Sequence, residues 1–253
     1  MADEAAIARR ALPLIDLTDL SEASDEAAVR RLCARAATPH GSVAAVCIWP
    51  RFVRLAKDAL AGTGVRVATV VNFPAGGTDT VGVVAQAEKA VAEGADEIDQ
   101  VFAYRAFAAG RRGFAETQVT RVKRALPEAV NLKVILETGE IRDPTLIRHA
   151  AEAAIGAGAD FIKTSTGKTP ISATSDAAAV MLEAIRDSGR PVGLKPSGGI
   201  RTVAEAGRYL DLADSVMGPG WATPATFRFG ASGLLDAVLA AIEGRPQAAA
   251  AGY

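Results

Sequence analysis

The chain has 253 residues, which is within the size range of one large α/β barrel, so a single domain over residues 1–253 is expected. Hydrophobic residues make up 49% and charged residues 23%, the balance of an ordinary globular protein. The formal net charge of −1 gives no electrostatic reason to expect nucleic acid or an anionic membrane as a partner.

Cysteine and histidine usage also narrows the classes of function. Cys33 and Cys47 form no CxxC motif, so neither a disulfide framework nor a thiolate zinc site is indicated. His40 and His149 are not a ligand pair at helical spacing. The first residues, MADEAAIARR, lack the apolar core of a signal peptide, and no apolar run reaches the length of a membrane span. We therefore expect a reduced, cytoplasmic protein.

The first 40 residues predict N-terminal helices. Residues 4–37 follow a helical periodicity that Leu14-Ile15-Asp16-Leu17-Thr18 interrupts, and Ser24-Asp25-Glu26 opens the second helix with residues typical of N-caps. Pro39 and Gly41 end that helix. At the other end of the chain, residues 244–253 are rich in alanine and predict a flexible tail.

Between these ends, short apolar strands alternate with amphipathic helices. The pattern predicts strands at 43–48, 65–73, 97–102, 132–136, 161–164, 192–195, 215–217 and 226–230, with helical sequence between most of them. Eight such units favour a (β/α)8 TIM barrel with an extra N-terminal helical segment. An open, doubly wound sheet is the alternative, although no GxGxxG follows the first predicted strand.

Several predicted strands carry charged residues inside apolar runs. Side chains alternate along a strand, so Lys163 and Lys195 lie on the less apolar faces of neighbouring strands, as do Asp99, Lys133 and Glu137 on two others. We expect these faces to point into the barrel, whose C-terminal end carries the catalytic residues in this fold. A structural ion-pair network is the alternative, since an unpaired buried charge would cost on the order of several kcal/mol.

The two lysines favour Schiff-base chemistry. A free lysine amine, with a pKa of about 10.4, is almost fully protonated at neutral pH and is not nucleophilic. Burial and a second cation both lower that pKa, so Lys163 and Lys195, at matching heights on adjacent strands, are expected to depress each other. Asp99 is a candidate proton carrier, and Lys133 with Glu137 is expected to form a pair that sets these charges.

Three glycine-containing turns follow predicted strands and indicate a phosphate site. They are Thr166-Gly167-Lys168, Ser197-Gly198-Gly199 and Gly230-Ala231-Ser232-Gly233. Glycine lets backbone N–H groups approach an anion, and Ser232 is placed to cap the last helix, whose N-terminus attracts negative charge. Any one of these turns alone is typical of an ordinary loop, so the prediction depends on the three together.

Over nearly its whole length the sequence resembles the deoxyribose-phosphate aldolases, a family of class I aldolases. The resemblance is carried by both lysine-containing stretches and by several shorter ones. The matching stretches are Leu14-Ile15-Asp16-Leu17-Thr18, Val46-Cys47-Ile48-Trp49-Pro50-Arg51-Phe52, Val71-Asn72-Phe73-Pro74, Gly94-Ala95-Asp96-Glu97-Ile98-Asp99, Lys133-Val134-Ile135-Leu136-Glu137-Thr138-Gly139, residues 162–168, Lys195-Pro196-Ser197-Gly198-Gly199-Ile200-Arg201-Thr202 and Arg228-Phe229-Gly230-Ala231-Ser232.

The resemblance implies a (β/α)8 barrel that reversibly cleaves 2-deoxy-D-ribose 5-phosphate to D-glyceraldehyde 3-phosphate and acetaldehyde, a step of deoxyribose catabolism. It implies a covalent imine on lysine, with no metal or other cofactor, in a cytoplasmic enzyme that is often a homodimer. By motif, Lys163 matches the Schiff-base lysine, Lys195 the lysine that perturbs its pKa, and Asp99 the proton-relay aspartate. The phosphate-side positions are matched by Gly167, Lys168, Gly198, Gly199 and Ser232.

Some residues depart from the family pattern or have two interpretations. Gly233 stands where a second serine is frequent, which removes a hydroxyl donor but leaves a backbone N–H. Gln100 follows Asp99 where an apolar residue is usual, and its side chain is expected to point away from the site. Cys47 is expected to fill the core near the mouth or to expose a thiol to aldehydes. Tyr253 either reaches the site or is a chance end of a polar tail.

Two other functions stay open on the residues alone. Another phosphate-binding barrel enzyme, such as a sugar-phosphate isomerase or epimerase, would need no imine. A catalytically inactive barrel would bind a phosphorylated metabolite without turnover, although the intact Asp99, Lys163 and Lys195 argue against it.

The first matching stretch also adds Asp16 and Thr18 to the residues that we expect near the site.

Overall fold

The computed structural model describes residues 4–246, and its centre is one sheet of eight parallel strands. The strands are β1 Ile15–Asp19, β2 Ala45–Ile48, β3 Arg66–Val71, β4 Glu97–Val101, β5 Asn131–Ile135, β6 Phe161–Lys163, β7 Gly193–Lys195 and β8 Phe229–Ala231. Strand β8 pairs with β1, and the others follow in chain order. Bridges from Leu194 to Phe227 and from Ser197 to Gly230 join β7 to β8 and close the barrel. This closure excludes the open, doubly wound sheet.

Helices surround the barrel and supply the outer half of the core. They are α1 Glu4–Ala11, α2 Glu26–Ala36, α3 Val53–Ala59, α4 Thr80–Ala92, α5 Tyr104–Ala108, α6 Arg112–Ala125, α7 Thr138–Ile141, α8 Pro144–Gly156, α9 Ser175–Ser188, α10 Val203–Met217 and α11 Leu234–Ile242. Helix α1 packs against α10 and α11, so the first and last described helices are neighbours. Within residues 4–246, no helix is long and apolar enough to cross a membrane.

The prediction of eight barrel strands was correct in number, with a separate two-stranded hairpin at Ala37–Thr38 and Gly41–Ser42, but two of its elements were wrong. Residues 15–19 form β1 rather than an interruption between two helices, so the first 40 residues contain a barrel strand. The predicted strand 215–217 is instead the last turn of α10. Strand β1 was missed because Asp16, between the buried Ile15 and Leu17, interrupts the apolar run that marks most of the other strands.

A repeated Gly-Ala-Asp sequence explains the false strand. Asp96 accepts the N–H of Val67 and binds Lys57, and Asp160 accepts the N–H of Leu132 and binds Lys123, so each aspartate fixes the start of a strand. A similar segment, Leu212-Ala213-Asp214, has leucine in place of the glycine and lies within α10, where Asp214 binds Arg10 of α1 instead. The two Gly-Ala-Asp sequences therefore precede strands, whereas Leu-Ala-Asp does not.

The interior of the barrel is divided into a charged part and an apolar part. The apolar part lies on β2 and β3 with the residue after β1, and consists of Leu20, Ala45, Cys47, Ala68 and Val70. The charged part lies on β1, on β4–β7 and on the residue before β8, and contains buried aspartate, glutamate, lysine and arginine side chains. The burial of these charges is what the sequence predicted from lysines inside apolar runs, and it locates the candidate site.

Candidate active site

Two buried lysines lie side by side at the ends of adjacent strands. Lys163 of β6 and Lys195 of β7 are paired in register, and their side chains are 2% and 0% exposed. Each Nζ lies 2.8 Å from the same atom, Oδ2 of Asp99. The structure therefore brings together the three residues that the sequence predicted to act in catalysis.

The Lys163 amine is in an environment that favours its neutral form. Burial is the main reason that the pKa of Lys163 lies below its ordinary value, and the Lys195 ammonium lowers it further. Asp99 opposes both effects, yet the net direction stays downward. A lysine with a lowered pKa has a larger unprotonated fraction near neutral pH, and the unprotonated amine is the nucleophile.

Lys195 has the opposite behaviour, which corrects the expectation that the two lysines depress each other. Burial again favours the neutral amine, but Asp16, whose Oδ2 is 2.5 Å from Nζ, and Asp99 outweigh it and raise the pKa of Lys195. Lys195 therefore stays an ammonium. Only Lys163 has a lowered pKa, because the fixed positive charge of Lys195 disfavours a second positive charge on Lys163.

A third buried lysine completes the contacts of Asp99. Lys133 of β5 lies 2.9 Å from Oδ1 of Asp99 and 2.5 Å from Oε2 of Glu97. Burial works against the ionised carboxylate of Asp99, but its three lysine neighbours outweigh burial and hold its pKa well below the usual range. Asp99 is thus an ionised carboxylate that both Lys163 and Lys195 reach directly.

Glu137 does not pair with Lys133, contrary to the sequence prediction. It follows β5 with a left-handed backbone at φ 58°, which carries its carboxylate toward the next loop. There it accepts hydrogen bonds from the backbone N–H and the hydroxyl of Thr166, the latter at 2.5 Å, and from the hydroxyl of Thr169. Glu137 therefore fixes the loop after β6 rather than the charge of the lysines.

The three glycine-containing turns meet at one edge of the barrel. The amide of Ser197 donates to Oγ1 of Thr164 at 3.0 Å, and the amide of Gly198 donates to the carbonyl of Gly230 at 3.2 Å. Gly198 has φ +86°, and a Cβ there would lie 2.6 Å from Oγ of Ser172, so only glycine fits. Gly167 lies beside it in the facing turn, also with positive φ. The predicted grouping of Gly167, Gly198 and their neighbours is present.

The end of this edge differs from the prediction in one detail. Ser232 is exposed and does not cap α11, because the N-cap is Gly233 and no side chain accepts a hydrogen bond there. The first amides of α11 are therefore left without a side-chain acceptor. Lys168 reaches across the mouth, where its Nζ donates to the carbonyl of Leu20 at 2.8 Å. Gly199 is exposed at the same edge.

The remaining predicted residues have mostly structural contacts. Thr18 donates its hydroxyl to the carbonyl of Asp16 at 2.8 Å. Cys47 is fully buried in the apolar part of the interior, where burial raises the pKa of its thiol. Gln100 points outward and approaches Gln118 of α6, as strand alternation predicted. Tyr253 lies outside the described residues, as do residues 247–252 of the predicted tail.

Two charged residues of the interior, Glu97 and Arg228, had no predicted role. Arg228, next to β8, donates to Oδ1 of Asp16 at 2.7 Å and to Oε1 of Glu97 at 2.9 Å. Its sequence signal was present, because Arg228 stands between two buried phenylalanines just as Lys163 stands in an apolar run. Thr164 and Thr166, which hold the turns together, had no signal beyond their position near Lys163.

A closed eight-stranded barrel with a buried lysine and an ionised carboxylate at the C-terminal strand ends defines a class of enzymes that act through a lysine amine. Residues 10–235 match the model of the DeoC/LacD family aldolases. The chain belongs to the DeoC/LacD family of aldolases. Its family membership agrees with the fold and with the resemblance found in the sequence.

Individual proteins and solved structures are also similar to this chain. The deoxyribose-phosphate aldolase of Agrobacterium fabrum is 53% identical over 244 residues, which cover 96% of this chain and 94% of that one. The crystal structure of a candidate deoxyribose-phosphate aldolase from Toxoplasma gondii has a TM-score of 0.88 at 27% identity, with 95% and 96% of the two chains covered. One from Coccidioides immitis has a TM-score of 0.80 at 31% identity, with 92% and 85% covered.

Proposed function

We propose that this chain is a class I aldolase that reversibly cleaves 2-deoxy-D-ribose 5-phosphate to D-glyceraldehyde 3-phosphate and acetaldehyde. The observation that carries the proposal is the pair of buried lysines on one carboxylate oxygen, one with a lowered pKa and one with a raised pKa. That arrangement supplies a neutral amine and an acid within reach of one proton carrier.

We propose that residues 1–253 act as one domain.

The imine forms on Lys163. Its neutral Nζ attacks the aldehyde carbon of the open-chain sugar, which gives a carbinolamine, and loss of the hydroxyl as water gives a protonated imine. The ammonium of Lys195 supplies the proton that the leaving hydroxyl needs, and Asp99, in contact with both lysines, passes protons between them. Burial of the site keeps bulk water from competing for these protons.

Cleavage then follows from the positive charge of the imine. The proton of the C3 hydroxyl is removed by a base, the C2–C3 bond breaks, and its electron pair moves into the imine to give an enamine. D-glyceraldehyde 3-phosphate leaves, the enamine is protonated at C2, and water releases acetaldehyde from Lys163. Asp99 and Lys195 are our candidates for the proton transfers, because they are the ionisable groups in direct contact with each other beside Lys163.

The phosphate group is proposed to lie on the three glycine-containing turns. Gly167 and Gly199 offer backbone amides without side chains in the way, Gly198 lines the same edge with its own amide bonded to Gly230, and Lys168 supplies a positive charge at the mouth. The N-terminus of α11, which no side chain caps, and the preceding residues Ser232 and Gly233 add backbone amides and the positive end of a helix dipole. The loss of a second serine at Gly233 leaves the site one hydroxyl donor fewer than is frequent in the family.

We propose that the reaction needs no metal or other cofactor. Lysine ammonium groups already lie against the carboxylates of Asp16, Glu97 and Asp99, in the places that a divalent cation would need. The imine provides the electron sink that a metal ion provides in other aldolases. Prolonged treatment with EDTA should leave turnover unchanged, and a loss that Zn²⁺ or Mg²⁺ restores would contradict this part of the proposal.

A homodimer in the cytoplasm is the proposed working form. Val81 of α4 is 71% exposed, and α4 and α6 form an open groove beside it with Glu88, Arg121 and Arg124 at its edges. Carboxylate and guanidinium groups on one face suit contact with a second copy related by twofold symmetry. Sedimentation should give a dimer for the wild type and a monomer for Val81→Asp; a wild-type monomer would contradict it.

Reductive trapping tests the function. Incubation with acetaldehyde and sodium borohydride, followed by peptide mapping, should place an ethyl group on Lys163. Lys163→Met removes the amine and should lose both the adduct and the turnover of 2-deoxy-D-ribose 5-phosphate. Lys89→Met, on the exposed side of α4, is the matched control and should keep both. An isomerase or an inactive binding barrel would show no adduct on Lys163.

A further inference from the structure

The charges inside the barrel balance without Lys163. The other ionisable groups of the interior ion-pair cluster are three carboxylates and three cations, all of them buried. They are Asp16, Glu97, Asp99, Lys133, Lys195 and Arg228. If all six are ionised, their formal charges cancel, and a protonated Lys163 would be the excess charge. The pairing of these six ionisable groups therefore decides which lysine amine stays neutral.

The lower end of this cluster is fixed by Arg228. One guanidinium nitrogen lies 2.7 Å from Asp16 and 3.2 Å from Glu97, and a second lies 2.9 Å from Glu97. The remaining Nε donates to the carbonyl of Pro224 at 2.6 Å. Each guanidinium nitrogen therefore has a protein acceptor. A cavity of about 610 Å³ opens below Arg228, but the guanidinium is already committed to these partners and is not free to hold an anion there.

The same carboxylates connect Arg228 to the lysines above. Asp16 lies between Arg228 and Lys195, and Glu97 lies between Arg228 and Lys133. Both of those lysines contact Asp99, which contacts Lys163. A change of charge at Arg228 or Glu97 is therefore felt at Lys163 through buried ion pairs, where salt and water screen little.

We propose that Arg228 and Glu97 are positioning residues that set the charge balance around Lys163 and so fix the pH at which its amine becomes nucleophilic. The inference rests on the proposed imine function. It adds two residues at the base of the barrel, neither of which reaches Lys163 directly. Loss of Arg228 removes a positive charge, so a proton on Lys163 becomes more favourable. Loss of the Glu97 charge has the opposite effect.

Four other side chains lie around the cluster, and none of them adds an unscreened charge to it. Cys47 faces Lys163 from β2, and its thiol, with a raised pKa, stays neutral near pH 7. Arg66 approaches Glu97 at 3.4 Å, but its side chain is 43% exposed, so water screens it. Asn131 lies 3.4 Å from the same carboxylate and is uncharged. The Phe161 ring lies under the guanidinium of Arg228, 5.5 Å from its centre, which stabilises that cation in place.

The test is the pH dependence of borohydride trapping of acetaldehyde on Lys163 in the full chain. Arg228→Met should raise the midpoint of trapping by about one pH unit or more, and Glu97→Gln should lower it by a similar amount. The double variant, Arg228→Met with Glu97→Gln, restores the balance and should return the midpoint toward that of the wild type. Opposite shifts that cancel are not expected from a merely structural role.

Two further variants keep the test decisive. Arg228→Lys keeps the charge and should keep the midpoint, and Arg148→Met removes a surface arginine of α8 and should change nothing. If Arg228→Met does not fold, Glu97→Gln and the double variant decide the question. Single variants that shift the midpoint in the same direction, or not at all, would overturn the inference while leaving the imine on Lys163 intact. Absence of any adduct in the wild type would instead overturn the proposed function.

Discussion

The ends of β6 and β7 present the same residue in nearly the same place with opposite results. Lys163 and Lys195 are paired in register, are both buried, and are both 2.8 Å from Oδ2 of Asp99. They differ in one neighbour, since Asp16 lies 2.5 Å from Lys195. That carboxylate is enough to raise one pKa while the other falls. Lys163 is therefore the reactive lysine because it is buried and because it lacks the contact with Asp16 that Lys195 has.

The largest expected effect comes from removing the fixed charge. Lys195→Met should lower turnover by about 10²–10⁴-fold, because the proton donor is lost. The midpoint of imine formation should also rise, since no neighbouring cation then disfavours the Lys163 ammonium. Steady-state kinetics and borohydride trapping across pH measure both effects. An unchanged pH profile would remove Lys195 from the control of Lys163.

Removing the distinguishing carboxylate should make the two lysines more alike. In Asp16→Asn, Lys195 loses its close partner, so its pKa should fall and part of the trapped acetaldehyde should appear on Lys195. Turnover should drop by about 10–100-fold, because the acid and the nucleophile are then less well separated. Peptide mapping of the reduced adduct measures the division. An adduct found on Lys163 alone would show that Asp16 does not set the difference.

The comparison also predicts an effect of Lys163 on stability. The pKa of Lys163 in the folded protein lies below that of a lysine in the unfolded chain. Lys163 therefore lowers the free energy of unfolding at pH values below the folded pKa. This penalty shrinks as the pH rises from the folded to the unfolded pKa and is absent above it. Lys163→Met should therefore raise the free energy of unfolding near pH 7 by about 1–3 kcal/mol, and the gain should shrink toward pH 10.

Urea denaturation at several pH values measures this gain. Lys89→Met, at an exposed position of α4, is the control and should stay within about 0.5 kcal/mol of the wild type. Lys195→Met should be destabilising under the same conditions, because Asp16 and Asp99 would lose a buried counter-ion. Equal changes for the two lysine variants would contradict the distinction between the two strand ends.

A smaller effect is expected at the loop after β6. Glu137→Gln places an amide against the donors of Thr166 and Thr169, so the loop should loosen. The KM for 2-deoxy-D-ribose 5-phosphate should rise about tenfold, which corresponds to ~1.4 kcal/mol. Activity on unphosphorylated 2-deoxyribose should be unaffected, and so should the exposed control Glu140→Gln. Equal loss with both sugars would mean that the loop serves the imine rather than the phosphate.

The smallest effect concerns the apolar part of the interior. Cys47→Ala should cost about 1 kcal/mol of stability through lost packing and leave turnover nearly intact. Cys33→Ala, on α2, is the comparison at a buried site outside the barrel. If Cys47→Ala instead protects the protein from inactivation by acetaldehyde, the thiol is reactive, and its assignment as core filler is wrong.

The sequence predicted the barrel and the central residues, and it failed where tertiary contacts decide. Lys163 and Asp99 could be identified because charges inside apolar strand runs are rare and alternation gives their direction. The raised pKa of Lys195 could not, since it depends on a contact with Asp16, a residue 179 positions away that periodicity placed in a break between helices and that only the family resemblance put near the site. Glu137 was misassigned because its left-handed backbone breaks the alternation used to predict its direction.

The pairing of Asp16 with Arg228 has a consequence for the order of folding. The two residues are 212 positions apart, on the first strand and beside the last. During synthesis, Asp16 and Glu97 emerge long before Arg228, which completes the ion pairs that they make with Lys195 and Lys133, so a partly made barrel contains carboxylates that water must help to keep solvated. We expect the nascent chain to remain hydrated inside until β8 docks, and the enzyme to become dry and competent in that last step.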